Sequence, residues 1–369
     1  TRMDGFNHDV VRLAPSLAKK IKTNKGHLFP DSEAMVLPGP LQSLRDDFGL
    51  ADTLANHFQK RTYWTLLGLF SLVFAAIVMF GFYAHLAKPP AQLIFLALYL
   101  SVFTLAIGWF HVAESRDIQN KHQDYRALAE GLRVQFFWRL AGLHSSVADH
   151  YLRRQKSEID WIRDSIRTWG MRVLPESEDT LQQGQQVLTY WVNDQRRYFK
   201  NSSDRDSKWS GYLINAGAGF LLVSLGMASW EASFGLPPDG EDSVGTAYGL
   251  VIAVILVFPV LYGIVHKLQV CLIEEGPRHM LMRLRALMLG VLGGLSLTYL
   301  FWAAPHHLSS NVAGYFKHHP QEWWIVAMVL TAAIPALANA YAEKRALSEH
   351  EKQYKHMELL FSRAQERLK

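Results

Sequence analysis

Six long runs without a charged residue place the strongest constraint on how this chain can fold. A helix needs about 20 mostly apolar residues to cross the hydrocarbon core of a bilayer. None of the six runs contains Asp, Glu, Lys or Arg, and Trp or Tyr lies near the ends of most of them, as in the aromatic belts of membrane proteins. One such run could be a buried helix of a soluble protein, but six in one chain predict an integral membrane protein. The runs cover residues 63–84, 91–111, 209–230, 244–265, 286–304 and 323–341.

The positions of the 38 Lys and Arg residues predict how these runs are oriented. Nine precede the first run, sixteen lie between the second and third, four lie between the fourth and fifth, and seven follow the sixth. The other three loops contain only Lys88 and Lys317. Because cytoplasmic loops carry the excess of positive residues, we predict that six helices cross the membrane and that both termini lie in the cytoplasm. The net charge of +5 then needs no nucleic-acid partner, and membrane lipids are the expected partner of these basic loops.

The polar stretch between the second and third runs is typical of long amphipathic cytoplasmic helices. Apolar or aromatic residues recur there at steps of three and four, which is the spacing of one helical face. The fold class predicted from the sequence is therefore an all-α integral membrane protein, with six transmembrane helices and long amphipathic cytoplasmic helices. The first stripe is Leu128, Leu132, Phe136, Leu140 and Leu143, the second is Ile159, Ile162, Ile166 and Trp169, and the third is Leu188, Trp191, Gln195 and Tyr198.

The C-terminal segment contains a heptad pattern, which is the pattern of a coiled coil. A helix of this kind can associate with a second copy of the chain or pack on its own chain, and both interpretations stay open. If it self-associates, the protein is a homo-oligomer, and the residues that would carry the contact are Leu347, Tyr354, Met357, Phe361 and Leu368. The full pattern is Leu347, His350, Tyr354, Met357, Phe361, Ala364 and Leu368.

These features divide the chain into five parts. We predict a cytoplasmic N-terminal segment at 1–62, a transmembrane hairpin at 63–111, a cytoplasmic helical region at 112–208, four further transmembrane helices at 209–341 and a cytoplasmic C-terminal helix at 342–369. Because the first residue is Thr1 and not Met, we expect 1–62 to be a remnant of, or a linker to, an upstream domain. The single cysteine, Cys271, cannot form an internal disulfide, which fits a reducing compartment.

A short internal repeat follows the second and the sixth runs. The same residue types recur at the same spacing, and the pattern suggests that a unit of basic helix, transmembrane hairpin and cytoplasmic helix is used twice. Chance similarity is the alternative for a match this short. The two sets are Ala113, Glu114, Arg116, Tyr125 and Arg126, and Ala342, Glu343, Arg345, Tyr354 and Lys355.

Three segments resemble one known family of bacterial membrane modules. They are QRRYF at 195–199, YRALAEGLRVQFFWRLAGL at 125–143 and DHYLRRQKSEIDWIRDSIR at 149–167. They are similar to SLATT-like transmembrane proteins, which accompany TRPM-like SLOG domains or second-messenger synthetases. The resemblance implies an effector that opens a pore or perturbs the bilayer when an upstream or partner domain binds a nucleotide, as in phage defence. The chain departs from the simplest module by its six runs and by containing no SLOG domain.

Motifs for catalysis or for a cofactor are absent from the sequence. It contains no GxxxxGK[ST], HExxH or CxxC motif, so we expect no enzymatic activity and no cofactor. A metal site receives only weak support from His306, His307, His318 and His319, which can equally be interfacial histidines. A basic helical face could meet lipid phosphates or an anionic partner, or could simply be solvated. Its residues are Arg153, Arg154, Lys156, Arg163 and Arg167.

If the protein conducts ions, small neutral residues must line the pore, because the runs contain no acids or bases for a charge relay. Each of these residues could instead serve helix packing, as could the GxxxG pair of Gly290 and Gly294. The sequence thus favours a gated pore or membrane-disrupting effector. The main alternative is a non-conducting membrane scaffold or assembly subunit. A transporter and a membrane enzyme are favoured less, in that order. The candidate pore residues are Ser71, Ser101, Thr104, Asn215, Ser224, Thr246, Ser296, Thr298 and Thr331.

Overall fold

The structure, a computed structural model, describes residues 2–34, 37–86, 89–150, 160–171, 180–234, 263–265, 268, 271, 277–307 and 320–368. Within these ranges every regular element is a helix, which confirms the predicted all-helical class. Short π turns occupy Phe82–Leu86 and Leu188–Val192, and Val147–Asp149 forms a 3-10 turn. The α-helices are α1 (Arg2–Leu28), α2 (Asp31–Ala34), α3 (Gly39–Gly81), α4 (Ala91–Ser115), α5 (Ile118–Leu140), α6 (Asp160–Gly170), α7 (Thr180–Val187), α8 (Asn193–Phe234), α9 (Pro277–His307), α10 (Pro320–Lys344) and α11 (Leu347–Leu368).

Five helices in the described ranges are long and apolar enough to cross a membrane. They are α3, α4, α8, α9 and α10, and each contains an apolar window of 18 residues with at most two Asp, Glu, Lys or Arg. Five of the six predicted runs therefore lie in helices of sufficient length. The remaining run, 244–265, lies outside the described residues except for 263–265.

The chain forms two compact units. Unit 1 consists of Thr1–Thr65, His111–Ser203 and Lys352–Lys369, and unit 2 consists of Leu66–Phe110 and Asp204–Glu351. Unit 1 therefore holds most of the charged helices, whereas unit 2 holds the apolar windows.

The core of unit 1 is built around α5. Its predicted stripe is buried as expected, since Leu128, Leu132, Phe136 and Leu140 are at most 4% exposed. The same core contains Ile162 and Ile166 of the second stripe, both at 0% exposure. The aromatic rings of Phe29 and Phe136 meet in this core at 5.6 Å.

The prediction for Leu143 is wrong, because α5 ends before it. Gly142 has a φ of 76°, and its N–H donates to the Arg139 carbonyl at 3.1 Å. The N–H of Leu143 donates to the Trp138 carbonyl at 2.8 Å, which completes the Schellman end of a helix. The chain therefore leaves the helical path at Gly142, and Leu143 is 50% exposed.

The third predicted stripe is only partly buried. Gln195 is 6% exposed, but Leu188 and Trp191 are half-buried and Tyr198 is 38% exposed. The π turn Leu188–Val192 lies inside the stripe, and its wider winding shifts the faces of the residues that follow.

A buried carboxylate joins α1 to α5 in unit 1. Asp9 is 0% exposed and accepts hydrogen bonds from Arg12 Nη2 at 3.1 Å, Lys121 Nζ at 2.7 Å and the Tyr125 hydroxyl at 2.8 Å. Burial, the hydrogen bond to Asp9 and its negative charge raise the pKa of Tyr125 above its ordinary value. The hydroxyl is thus held as a donor to the carboxylate.

In unit 2, α8 and α9 approach each other closely at glycines. A Cβ atom at Gly290 would lie 2.0 Å from the Ala216 carbonyl oxygen, and one at Gly219 would lie 2.4 Å from the Leu287 carbonyl oxygen. At Gly294 the same atom would lie 3.0 Å from Val223. The predicted packing role of Gly290 and Gly294 is therefore confirmed.

The internal repeat has a structural counterpart in two breaks of the helical path. Asp117, between α4 and α5, has a φ of 51°, and Ala346, between α10 and α11, has a φ of 50°. Both residues follow the repeated Ala-Glu-x-Arg directly. The N–H of Asp117 donates to the Glu114 carbonyl at 2.9 Å, and that of Ala346 donates to the Glu343 carbonyl at 2.8 Å. A left-handed residue other than glycine is uncommon, so its recurrence at matched positions supports a duplicated unit.

Candidate functional site

The structure separates the candidate pore residues into two groups. Ser71, Ser101, Thr104 and Ser296 are exposed on the surface of unit 2. The hydroxyls of the first three donate to the carbonyl four residues earlier in their own helix, at 2.7 to 2.8 Å. Such back-bonding satisfies a hydroxyl that has no water nearby. The candidate Thr246 lies outside the described residues.

The second group takes part in helix packing within unit 2. Ser224 Oγ of α8 and Thr331 Oγ1 of α10 both donate to the Met328 carbonyl, at 3.0 and 2.9 Å. Thr298 Oγ1 lies 3.3 Å from Met227 Sδ, and Asn215 is 7% exposed and donates to the Gly211 carbonyl at 2.6 Å. The contacts of Ser224 and Thr298 join different helices, whereas the hydroxyl of Thr331 and the amide of Asn215 are buried and bond within their own helices. All four residues thus fit the helix-packing role, which was the alternative to pore lining.

The heptad residues of the C-terminal helix, here called the seam, contact α8 within unit 1. The ring centroids of Phe361 and Phe199 lie 5.7 Å apart, and those of Tyr354 and Tyr198 lie 6.3 Å apart. Gln365 Oε1 accepts a hydrogen bond from Arg196 at 2.6 Å. Packing on the chain itself therefore occupies part of the seam.

The other seam residues differ in their surroundings. Met357 is half-buried, Leu368 is 54% exposed, and Leu347, in unit 2, is 3% exposed. Self-association through this helix stays a prediction, and Leu368 is the exposed residue among the five that would carry the contact.

The basic and histidine candidates are only partly described. Arg153, Arg154 and Lys156 lie outside the described residues, as do His318, His319 and the side chains of His306 and His307. Arg163 forms an ion pair with Asp160 at 3.4 Å, and Arg167 does so with Asp149 at 3.4 Å. Both described arginines thus have acidic partners on the same chain.

A polar cavity of about 490 Å³ lies in unit 1, and sequence reasoning did not find it. Side chains of α1, α3, α5 and α8 and of the π turn Leu188–Val192 line it. The only signal in the sequence was the seven-residue spacing of Arg126 and Arg133, which is two turns of one helix. The remaining lining residues come from distant segments. The polar lining consists of Asn24, His27, Asp52, Asn56, Arg126, Arg133, Tyr190, Asp194, Gln195, Arg197, Tyr198 and Asn201.

Ion pairs fix the two arginines of α5 in this cavity. Arg126 Nη1 donates to Asp52 at 2.9 Å, and Arg126 Nη2 pairs with Glu130 at 2.5 Å. Arg133 Nη1 donates to Glu130 at 2.9 Å and to Gln195 Oε1 at 3.3 Å, and its guanidinium lies over the Phe48 ring at 5.1 Å. The guanidinium groups are therefore held in position without a ligand.

Of the two carboxyl groups that line the cavity, Asp52 is buried and engaged, whereas Asp194 is partly exposed. Asp52 is 8% exposed, and burial raises its pKa, while the guanidinium groups of Arg126 and Arg133 oppose that rise. It also accepts a hydrogen bond from Asn56 at 2.9 Å. Asp194 faces Arg197 at 3.7 Å, on the exposed side of the cavity.

A second cavity, of about 510 Å³, lies in unit 2 between α3, α4 and α10. Its lining is almost wholly apolar and aromatic, including Phe80, Phe103 and Val326, with His85 and Tyr99 among the few polar side chains. No reactive groups converge there. Among the described residues, no group of three or more His, Cys, Asp or Glu could hold a metal ion.

Comparison with models of known protein families, with curated proteins and with solved structures finds no match to this chain in any of the three sets.

Proposed function

We propose that the chain is an integral protein of the bacterial inner membrane, with six spans and both termini in the cytoplasm. The observation that carries the proposal is the outward exposure of apolar side chains on α4. Only 6% of its apolar window is buried, and Leu93, Ile94 and Leu105 are 67%, 60% and 57% exposed. Water solvates such a surface poorly, at a cost of about 25 cal/mol per Å² of apolar area, whereas hydrocarbon solvates it well.

Within that membrane, the protein acts as an oligomeric effector or channel-like protein gated by a cytoplasmic nucleotide-sensing domain, as in phage defence. The continuity of two helices supports this function. Helix α3 contributes to unit 1 up to Thr65 and to unit 2 from Leu66, and α8 contributes to unit 1 up to Ser203 and to unit 2 from Asp204. A displacement of the unit 1 part of either helix would therefore be carried along the same helix to its apolar window. The resemblance to SLATT-like modules supports an upstream or partner sensor domain.

The exposed hydroxyls are the best candidates for a pore between subunits. Ser101 and Thr104 lie on the exposed surface of α4. Ser224 instead bonds from α8 to α10, and Thr331 is fully buried and bonds within α10. An oligomer that brings α4 helices together would line its axis with the first pair.

Ion flux through liposomes tests the proposal. The experiment uses the protein with its Cys271 changed to Ser and with Ser101→Cys introduced, with and without nucleotides and a sensor partner. A gated pore predicts ligand-dependent flux that falls when a charged thiol reagent modifies position 101. The matched control is Ser224→Cys, which the reagent should not block because Ser224 is 6% exposed.

The competing function, a non-conducting scaffold, predicts no flux under any of these conditions from a protein that still assembles. The packing use of Ser224 and Thr331 is the observation that favours this alternative.

A further inference from the structure

We propose that the polar cavity of unit 1 binds a small phosphorylated molecule with a flat ring, which is the chemistry of a nucleotide. This inference rests on the proposed function, because it supplies a ligand site on the two helices that would transmit a signal. It concerns a site inside this chain, separate from any upstream sensor domain.

Two guanidinium groups on the cavity wall have N–H groups that a ligand can use. The hydrogen bonds of Arg133 leave from Nη1, so Nη2 and Nε can serve a ligand. Arg197 is 72% exposed, and its 3.7 Å distance to Asp194 is longer than a hydrogen bond. The side-chain amides of Asn24 and Asn201 add further polar groups. Guanidinium groups match the oxygens of a phosphate in geometry and charge, and they bind it with charge-assisted hydrogen bonds.

The acidic residues of the cavity do not favour a cation. Asp52, the buried carboxylate of the lining, accepts hydrogen bonds from both Arg126 and Asn56. Glu130 does not line the cavity, but it pairs with both Arg126 and Arg133 and so helps to hold them. A cation would have to displace arginines that are held in place by a buried network. An anion needs no such displacement, since it can use the remaining donors.

Aromatic side chains supply a surface for a flat ring. Tyr190 and Tyr198 line the cavity, and the Tyr190 hydroxyl is fixed by a hydrogen bond to Glu33. Stacking on aromatic faces is a common way for proteins to hold a base. The cavity of about 490 Å³ lies in the range of small-molecule sites, which is roughly 300 to 1,000 Å³.

A ligand in this cavity would touch α3 and α8 together. Asp52 and Asn56 lie on α3, and Tyr198 and Asn201 lie on α8. Tyr198 also contacts Tyr354 of α11. Binding would therefore tie the charged parts of both long helices to each other and to the C-terminal helix.

Binding by the full chain in detergent tests the site, with thermal shift as a first screen and calorimetry for affinity. The probes are adenosine and guanosine mono-, di- and triphosphates, cyclic dinucleotides and inorganic phosphate. The variant is Arg197→Gln, which removes an exposed guanidinium and should leave folding intact. Its matched control is Lys200→Gln, which removes one positive charge from the same helix at a position that does not line the cavity.

We expect at least one nucleotide to raise the thermal midpoint, and Arg197→Gln to weaken its binding about tenfold while Lys200→Gln leaves it within about twofold. Arg133→Lys, which keeps the charge and loses the guanidinium fork, should weaken binding as well. The inference is overturned if no nucleotide binds, if inorganic phosphate binds as tightly as every nucleotide, or if both Gln variants lose affinity equally. It is also overturned if only vesicles with anionic phospholipid bind in an Arg197-dependent way. Binding without ion flux would refute the proposed gating and leave the site intact, whereas flux without nucleotide binding would do the reverse.

Discussion

Replacing Asp9 by Ala should loosen α1 from the rest of unit 1. The carboxylate is the acceptor for three donors, and its side chain is 1% exposed. The substitution leaves the Tyr125 hydroxyl buried without that acceptor, because Tyr125 is 2% exposed. Arg12 and Lys121 are 53% and 27% exposed at their side chains, so both can recover part of their hydration.

The size of the effect follows from these exposures. Removing one partner of a fully buried ion pair costs about 3 to 5 kcal/mol, and an unsatisfied buried hydroxyl costs about 1 to 3 kcal/mol. Because water reaches the two cations, we expect a loss near the lower end, about 3 kcal/mol. That loss corresponds to a rise on the order of 10² in the equilibrium constant for opening α1. Tyr125→Phe removes one hydrogen bond of the same cluster and should cost about 1 kcal/mol.

Amide hydrogen exchange of α1 in the detergent-solubilised protein measures this opening. The amides of α1 should exchange on the order of 100 times faster in Asp9→Ala, with smaller changes in α8. The matched control is Lys19→Ala, which removes an exposed charge from the same helix and should change exchange little. A change of less than about threefold in Asp9→Ala would refute the role given to the buried carboxylate.

Three further predictions concern single positions. Ala346→Gly should raise the thermal midpoint, because glycine adopts the left-handed conformation of this position without strain. Relief of that strain stabilises the folded state by about 1 to 2 kcal/mol, whereas the added entropy of the unfolded chain costs only about 0.4 to 1 kcal/mol. A lower midpoint would contradict this prediction. Gly290→Ala should destabilise unit 2 by about 1 to 3 kcal/mol. Gly226→Ala should be tolerated, because a Cβ atom there meets nothing within 4 Å. Equal thermal midpoints of the two variants would contradict the close approach of α8 and α9 at Gly290. Burial and the charges of nearby cations lower the pKa of His57 below its ordinary 6.5, so stability present above pH 6.5 should fall as the pH drops through the folded-state pKa. His57→Gln should flatten the dependence of the thermal midpoint on pH in that window, and an unchanged slope would contradict the assignment.

The sequence was sufficient to predict the features that depend on residues close together in the chain, namely the apolar face of α5 and the long apolar helices. The stripe of α5 was predictable because Leu128, Leu132 and Phe136 share one helical face, and burying that face is the main source of stability for such a helix. The break before Leu143 was missed because one residue, Gly142, overrides the periodicity by adopting a positive φ. The long apolar helices were predictable for a similar reason, since the absence of charge over about 20 residues is itself the signal.

The buried network and the polar cavity could not be predicted, because they depend on residues far apart in the chain. Asp9 and Tyr125 are separated by 116 positions, and Arg133 and Gln195 by 62. In the sequence Asp9 looks like any other charge on a basic helix. Only the packing of α1 on α5 distinguishes it, and only the meeting of four helices turns scattered polar residues into a cavity.

Thiol labelling in intact cells tests most directly the claim that lipid surrounds the apolar helices and that the basic connections lie on one side. Single cysteines at Lys88→Cys, Lys317→Cys and Lys200→Cys, each in a Cys271→Ser background, report the two faces of the membrane. Six spans with both termini in the cytoplasm predict that a membrane-impermeant reagent labels positions 88 and 317 in intact cells and labels position 200 only after the cells are opened. Labelling of position 200 from outside, or of positions 88 and 317 only from inside, would contradict it.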